Sequence, residues 1–341
     1  MLLTRKQNLL FLVLFVTMVF LFLVNISLGS VSIPLKEVVS GILLQDMSKE
    51  SWEIILWNFR FPKAITAILV GTGLAMSGLL MQTLFRNPLA GPYVLGLSSG
   101  ASLGVAFIIL GTSFLPTFLS SLFLSSYGLV LASSLGSFLV LLAVLLVSQK
   151  LKDTMAILIV GLMFGSFTSA IVSVLSYFTT AEKLQQFTFW SMGSISNLSW
   201  KEISLLSIFI IIGMGISFMV IKPLNALLLG EKYAQSIGIN YKKTRFLIII
   251  ATSILAGSIT AFAGPIAFIG LAVPHMAKLL FQTSNHLVLF WSTLLLGAIV
   301  MLCCDTIAQV PGNDITLPIN AITSVIGAPV VIWLLVKKKR F

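Results

Sequence analysis

The chain has 341 residues, of which 58% are hydrophobic and only 9% are charged. Soluble domains carry about 25% charged residues, so this composition excludes an ordinary soluble protein and indicates one that uses lipid as part of its solvent. The net charge of +11 does not indicate nucleic-acid binding, because the basic residues form no stripe and lie between apolar runs.

The first apolar run, residues 9–28, follows Arg5 and Lys6 as the core of a signal peptide would. At about 20 residues it is long enough to span a bilayer, whereas signal-peptide cores have about 7–15 residues. No Ala-x-Ala cleavage pattern follows it. The run therefore predicts an uncleaved first membrane helix.

Intervals without Asp, Glu, Lys or Arg locate the membrane spans. They are residues 7–35, 64–85, 87–149, 154–181, 203–221, 246–277, 279–304 and 315–336. A span needs about 20 apolar residues, so most intervals hold one helix. The interval 87–149 is long enough for two helices and breaks at 111–116, and the stretch 246–282 breaks at Gly264-Pro265. The sequence thus predicts ten spans.

The basic residues orient these spans. With the N-terminus in the cytoplasm, 15 of the 21 Lys and Arg residues lie on the cytoplasmic side, as the positive-inside rule requires. The inverted topology would reverse this bias. We therefore expect a multi-pass protein of the bacterial inner membrane with both termini in the cytoplasm.

Three segments outside the spans are long enough to have their own structure. Residues 30–59 and 182–201 are expected outside, and the second carries Trp190 and Trp200, as interfacial helices do. Residues 222–245 form the longest cytoplasmic loop. Its glycines, Gly230 and Gly238, are placed as residues that close short helices, so it predicts two of them, 225–230 and 231–237.

A weak internal repeat relates the two halves of the chain. The segment 91–97, which begins Gly-Pro, is similar to 264–271, which also begins Gly-Pro. The first is expected on the cytoplasmic side and the second outside, which is typical of an inverted-topology repeat in transporters. The predicted fold is an all-α polytopic membrane protein, about ten spans in a single permease domain, 1–341, with an inverted internal repeat.

A nucleophile pattern, Gly-x-Ser-x-Gly, occurs at residues 96–100 and would make Ser98 the nucleophile of an intramembrane protease. That pattern requires a strand–turn–helix setting and a base, for which only His275 and His286 are available. Gly and Ser are also ordinary packing residues of membrane helices. We favour packing, as we do for Gly73 with Ser77, four residues apart.

The residues that could supply the energy for transport are few. The chain has no P-loop, and no cluster of His, Cys and carboxylates indicates a metal site; Cys303 and Cys304 are interpreted as packing residues. An ion-coupled secondary transporter would bury ionisable residues, and Asp305 is the single candidate, near an outer helix end. We therefore expect energy to come from a separate protein.

Several motifs in order along the chain resemble the iron-siderophore, haem and cobalamin permease family of ABC importers. They lie at 60–63, 73–78, Gln82, 86–96, Trp190, 193–194, 229–238, 264–275, 297–298, Asp305 and 326–329. Within them, Asn87-Pro88-Leu89-Ala90 and the stretch that ends in Pro274-His275 are specific together.

The resemblance implies a pore subunit that catalyses no reaction, paired with a second permease copy. Two cytoplasmic ATP-binding subunits, which hold the ATP-Mg, and an external substrate-binding protein complete the complex; no cofactor is expected on this chain. The cargo implied is a metal chelate, iron-siderophore first and haem or cobalamin next.

Functional residues carried over from the resemblance fall into three groups. The ATPase would contact the coupling loop, about 222–245, at Leu229, Gly230, Ala234 and Gly238. Arg60 and Lys63 would seat the binding protein through its carboxylates. The motif and pathway-packing residues are Gly73, Ser77, Gln82, Asn87, Pro88, Gly264, Pro265, Pro274, His275 and Asp305. The chain departs from the family at Gln309 and Thr316, where Arg and Glu are usual.

Overall fold

The computed structural model describes residues 4–43, 47–111, 125–151, 154–196, 198–313 and 315–338. Within these ranges the chain is helical and contains no strand. The helices are α1 (Arg5–Ser27), α2 (Leu35–Leu43), α3 (Glu50–Ile55), α4 (Phe61–Leu84), α5 (Leu97–Ile109), α6 (Ser126–Lys150), α7 (Thr154–Tyr177), α8 (Ala181–Ser191), α9 (Trp200–Met219), α10 (Ile221–Leu227), α11 (Glu231–Ser236), α12 (Tyr241–Ala263), α13 (Ile269–Phe281), α14 (His286–Ala308) and α15 (Ile319–Lys338). A π-helix, Leu56–Arg60, leads into α4, and a 3₁₀ turn, Pro92–Leu95, precedes α5.

Polar residues begin several of the apolar helices. Thr4 and Gln7 form a reciprocal capping box at the start of α1. Asn240 and Asn285 each accept a backbone N–H through the side-chain oxygen, at the starts of α12 and α14. These oxygens pair with N–H groups that have no partner inside the helix, which stabilises each start by about 1 kcal/mol.

Among the described residues, seven helical segments are long and apolar enough to cross a membrane. Three shorter apolar helices, Leu97–Ile109, Ile269–Phe281 and Ile319–Trp333, lie where the other three of the ten spans were predicted. At 13 residues, α5 and α13 rise only about 20 Å and do not cross a hydrocarbon core of about 30 Å alone. The predicted break at 111–116 falls mostly outside the described residues.

The order of long and short helices recurs along the chain. The first series, α4 to α7, has 24, 13, 25 and 24 residues. The second, α12 to α15, has 23, 13, 23 and 20 residues. In each series the short helix follows a Gly-Pro segment and begins after a residue with positive φ, Gly96 at 76° and Phe268 at 67°. This recurrence supports the predicted repeat; its inversion stays a prediction.

The backbone divides into two compact units. Unit one comprises Met1–Met76, Ser194–Ile208 and Ala267–Phe341. In it, α4 and α14 are in backbone contact at Gly71 and Gly297, because a Cβ added to Gly71 would lie 2.2 Å from the Gly297 carbonyl oxygen. Small residues allow this approach where lipid supplies no hydrophobic drive between helices.

Unit two comprises Ser77–Gly193 and Phe209–Ile266. Its closest helix pair is α5 with α6, where Cβ atoms added to Gly104 and Gly136 would each lie 2.0 Å from a carbonyl oxygen of the opposite helix. The hydroxyl of Ser137 also donates to the Leu97 carbonyl across this pair. The predicted single domain, 1–341, stays a prediction.

Candidate functional site

The segment 221–240, called here the coupling segment, contains the two short helices predicted from its glycines. The first, α10, begins at Ile221 and ends at Leu227, so it starts and ends earlier than the predicted 225–230, whereas α11 runs from Glu231 to Ser236, close to the predicted 231–237. Gly230 and Gly238, with φ of 121° and 88°, close the two turns in a region that favours glycine. The segment ends earlier than predicted, because Arg245 lies within α12.

The coupling segment presents apolar side chains at its surface. Leu229 is 67% exposed, Ile237 54%, Tyr233 48% and Leu228 46%. Four large apolar side chains within ten residues of chain make a patch of the kind that marks protein interfaces. Leu229 is thus placed as a contact residue would be.

Ala234 does not fit the contact role that the resemblance gave it. Its side chain is 0% exposed and lies in the interior of unit two. A partner cannot touch it there, so we correct the expectation that it contacts the ATPase. Ala234→Asp would bury a carboxylate and disturb α11 itself, and would not test docking.

Asp305 is the centre of a buried polar cluster in unit one, which we call the Asp305 cluster. The carboxylate is 1% exposed, and its Oδ1 lies 3.1 Å from Lys63 Nζ. The side-chain amides of Asn25 and Gln309 each donate to Oδ2 at 2.9 Å. Residues of α1, α4 and α14, and the residue after α14, thus meet at one carboxylate.

Lys63 was expected to be an exposed base that meets the binding protein, and that premise is wrong. Its side chain is 13% exposed and is paired with Asp305. Gln309, which stands where the family usually has Arg, completes the same cluster as an amide donor. The positive charge of Lys63, which was expected to meet the binding protein, is paired with Asp305 inside unit one.

Arg60 is likewise engaged inside unit one. Its Nη1 donates to the carbonyls of Ile26 and Ser27 at 2.9 and 2.8 Å, and its Nη2 donates to the carbonyl of Val31. The residue is 9% exposed. The guanidinium holds the turn that follows α1, so Arg60 is also not an exposed docking base.

The two Gly-Pro segments that interrupt the helices are joined by one side chain in unit two. The hydroxyl of Tyr93, from the first segment, accepts a hydrogen bond from the N–H of Ile266, in the second, at 3.4 Å. It lies 3.4 Å from the hydroxyl of Thr260 as well. A broken membrane helix frees backbone groups that need partners, and Tyr93 supplies one.

The same break at Gly264 is packed tightly against the end of α8. A Cβ added to Gly264 would lie 2.8 Å from both the Gly193 Cα and the Trp190 carbonyl oxygen. In unit one, the N–H of Ala267, which follows Ile266, donates to the side-chain oxygen Oδ1 of Asn320 at 2.9 Å. Gly264 and Pro265 therefore belong to a break whose backbone is closely supported.

Ser98 does not lie in the setting that a serine nucleophile requires. It is in the first turn of α5, after a 3₁₀ turn, and no strand precedes it in the described residues. Asp305, the candidate for ion coupling, has its charge met by Lys63. Among the described residues, no group of three or more His, Cys, Asp or Glu could hold a metal ion.

The remaining motif residues lie in the helices of their respective units or in the turn that follows α4. In unit one, Gly73 and Pro274 are buried in α4 and α13, and His275 is partly buried. In unit two, Ser77 and Gln82 are buried in α4, and Asn87 and Pro88 are partly buried in the turn that follows it. The roles of Asn25, Tyr93 and Asn320 are not evident from the sequence, because each pairs with a residue that is distant along the chain.

Comparisons with known proteins agree with this architecture. The profile of the FecCD transport family matches residues 17–337. The chain is 36% identical over 289 residues to the vitamin B12 import system permease protein BtuC of Salmonella typhi, covering 84% of this chain and 85% of that protein. The corresponding protein of Citrobacter koseri is 35% identical over 289 residues, 84% of each chain.

Solved structures give the same result. A protein described as an inward-facing, metal-chelate type ABC transporter matches with a TM-score of 0.84 and 30% identity, over 97% of this chain and 99% of that chain. PsaBC from Streptococcus pneumoniae in complex with Fab matches with a TM-score of 0.56 over 89% of this chain and 95% of that chain. At 15% identity, the second likeness concerns the fold alone.

Proposed function

Because the chain belongs to the FecCD transport family, we propose that it forms the translocation pathway of an importer in which the coupling segment docks a separate ATPase. The chain is a multi-pass membrane permease subunit of an ABC importer of the metal-chelate family. It is not the enzyme of the complex, since ATP hydrolysis resides in separate subunits.

The observation that carries the docking proposal is the apolar surface of the coupling segment. Leu229 and Ile237, on the turns that follow α10 and α11, are more than half exposed. The basic residues orient this segment toward the cytoplasm, together with both termini. Burying such side chains in an interface is favourable at about 25 cal/mol per Å² of apolar area.

The test uses the intact complex. Leu229→Asp combined with Ile237→Asp places two charges on the surface, and we expect a P-loop ATPase to stop co-purifying with the permease in mild detergent. The matched control is Leu43→Asp, since Leu43 is 74% exposed on α2, in the segment expected outside. Retention of the ATPase by the double variant at the level of the parent would refute the docking surface.

The cargo is the finer part of the proposal. The family resemblance alone favours an iron-siderophore, with haem or cobalamin next, whereas the relatives named above import vitamin B12. We assign a metal chelate of this group and place cobalamin beside iron-siderophore as a candidate. Competition of unlabelled cobalamin, ferric siderophore and haem for uptake by the complete importer separates them, and uptake that none of the three inhibits would refute the assignment.

The proposed assembly contains two copies of this chain, two ATP-binding subunits that hold ATP-Mg, and an external binding protein. Association of ABC permeases with ATPase and binding-protein partners is general in the family. The second permease copy rests on the family resemblance alone, and the mass of the purified complex tests it. A mass that fits one permease per complex would refute it.

A further inference from the structure

The end of α4 is built around an unusual residue. The N–H of Asn87 donates to the carbonyl of Gln82, and the N–H of Arg86 donates to that of Thr83, at 3.1 and 3.3 Å. This pair of bonds is the Schellman arrangement, in which the first residue past the cap takes a left-handed conformation. Glycine is usual there, yet here the residue is Arg86, with φ of 47°.

A side chain at this position is therefore not needed to end the helix. A non-glycine residue in the left-handed region is disfavoured sterically, so glycine would suit the backbone better. What the arginine adds is its guanidinium.

The guanidinium reaches the coupling segment. Arg86 Nη2 donates to the carbonyl oxygen of Leu227, the last residue of α10, at 2.8 Å, across 141 residues of chain. That oxygen also accepts the N–H of Gly230 at 3.2 Å, so both of its lone pairs are used. A hydrogen bond from a charged donor is stronger than one between neutral groups, and a cation beside a helix C-terminus is favourable.

The contact borders an open cavity. Its volume is about 720 Å³, and it is lined by Arg86, Leu229, Gly230, Glu231, Lys232, Tyr233 and Gln235. Among the described residues that line the cavity, Arg86 is the one from outside the coupling segment. The end of α4, the turn after α10, and α11 thus line one cavity, and the bond from Arg86 to Leu227 joins α4 to the end of α10.

We infer that Arg86 is a positioning residue that ties the end of α4 to the coupling segment, so that a displacement of that segment is passed to α4. The inference rests on the proposed function, because the displacement is imposed by the ATPase that docks there. Without the tie, the ATPase still binds and hydrolyses ATP, but less of each displacement reaches the membrane helix.

Arg86→Gly isolates the side chain, because it removes the guanidinium and also relieves the backbone conformation. We expect the variant complex to assemble, to unfold at a temperature no lower than that of the parent, and to move at least about threefold less cargo per ATP hydrolysed, from the loss of one charge-assisted hydrogen bond. Arg86→Ala should show the same loss of coupling with a lower unfolding temperature.

The matched control is Gln282→Gly. Gln282 is exposed and ends α13 with the same φ of 47°, so glycine relieves a similar turn away from the coupling segment. We expect transport per ATP to be unchanged in this control. All measurements use the complete importer in proteoliposomes, with uptake and phosphate release followed in the same sample.

Three results would overturn the inference. An Arg86→Gly complex with the parent's transport per ATP shows that the tie is not used, and leaves the proposed function intact. A variant that no longer retains the ATPase makes Arg86 part of the docking surface and not a positioning residue. A parent permease that retains no ATPase refutes the proposed function and the inference together.

Discussion

The Asp305 cluster allows a quantitative prediction about how much the ion pair of Lys63 and Asp305 contributes to the free energy of unfolding. Lys63→Met removes the ammonium that lies 3.1 Å from the carboxylate and leaves a side chain of similar length. Breaking a buried ion pair by removing one partner costs about 3–5 kcal/mol, because the remaining charge is uncompensated. Asn25 and Gln309 still donate to the carboxylate, so we expect the low end, about 3 kcal/mol.

The assay is unfolding of the purified permease in mixed micelles, as a double-mutant cycle of Lys63→Met with Asp305→Asn. The double variant removes both charges, and we expect it to recover about 2 kcal/mol relative to the sum of the single variants. Lys201→Met is the matched control, since Lys201 is exposed at the start of α9 and should change the unfolding free energy by about 0.5 kcal/mol or less. A cost for Lys63→Met equal to that of the control would refute a buried pair.

Three further predictions concern other parts of the two units. Gly71→Ala should destabilise the permease by about 1–3 kcal/mol, because the new methyl group meets the backbone of α14, whereas Gly215→Ala has open space and should not; equal unfolding temperatures would contradict the close approach. Tyr93→Phe removes only a hydroxyl and should cost about 1 kcal/mol, near the low end for an unsatisfied N–H because the bonds are long; an unchanged unfolding temperature would show that the hydroxyl does not join the helix breaks. A hydrogen bond from the Ser48 N–H lowers the pKa of Glu37 below its ordinary value of 4.5, so the contact is present above that pH and is lost as the pH falls through the lowered pKa. The protection of the Ser48 N–H, taken as its exchange rate relative to the intrinsic rate at each pH, should therefore fall on acidification in the parent but not in Glu37→Gln. Equal protection at every pH in the two proteins would show that the contact is absent.

Local features of the fold were accessible from the sequence because they depend on neighbouring residues. Charge-free runs determine where helices can cross lipid, and Gly-Pro at 264 marks a break because proline lacks a donor and glycine permits positive φ. The same holds for the coupling segment, where Gly230 and Gly238 indicated two short helices. The second lies at Glu231–Ser236, close to the predicted 231–237, whereas the first lies at Ile221–Leu227 and not at 225–230.

Pairings between distant residues were not accessible in this way. The sequence suggests that Lys63 is an exposed base, because the positive-inside rule uses the number of basic residues and says nothing about their partners. Its partner, Asp305, lies 242 positions further along the chain. The contact role expected for Ala234 is wrong for a related reason. The sequence places Ala234 on a short helix but does not show which face of that helix is buried in unit two. A single sequence considered alone does not specify such contacts between distant residues.

Cargo uptake by the permease reconstituted with its ATPase and binding protein tests the central claim most directly. We predict that labelled metal chelate enters proteoliposomes when ATP is present on the side of the coupling segment, and that a non-hydrolysable ATP analogue stops it. An applied proton or sodium gradient without ATP should drive no uptake, since the Asp305 carboxylate is paired with Lys63 and is not placed as a proton carrier. Uptake that follows the ion gradient and continues without the ATPase would contradict the account.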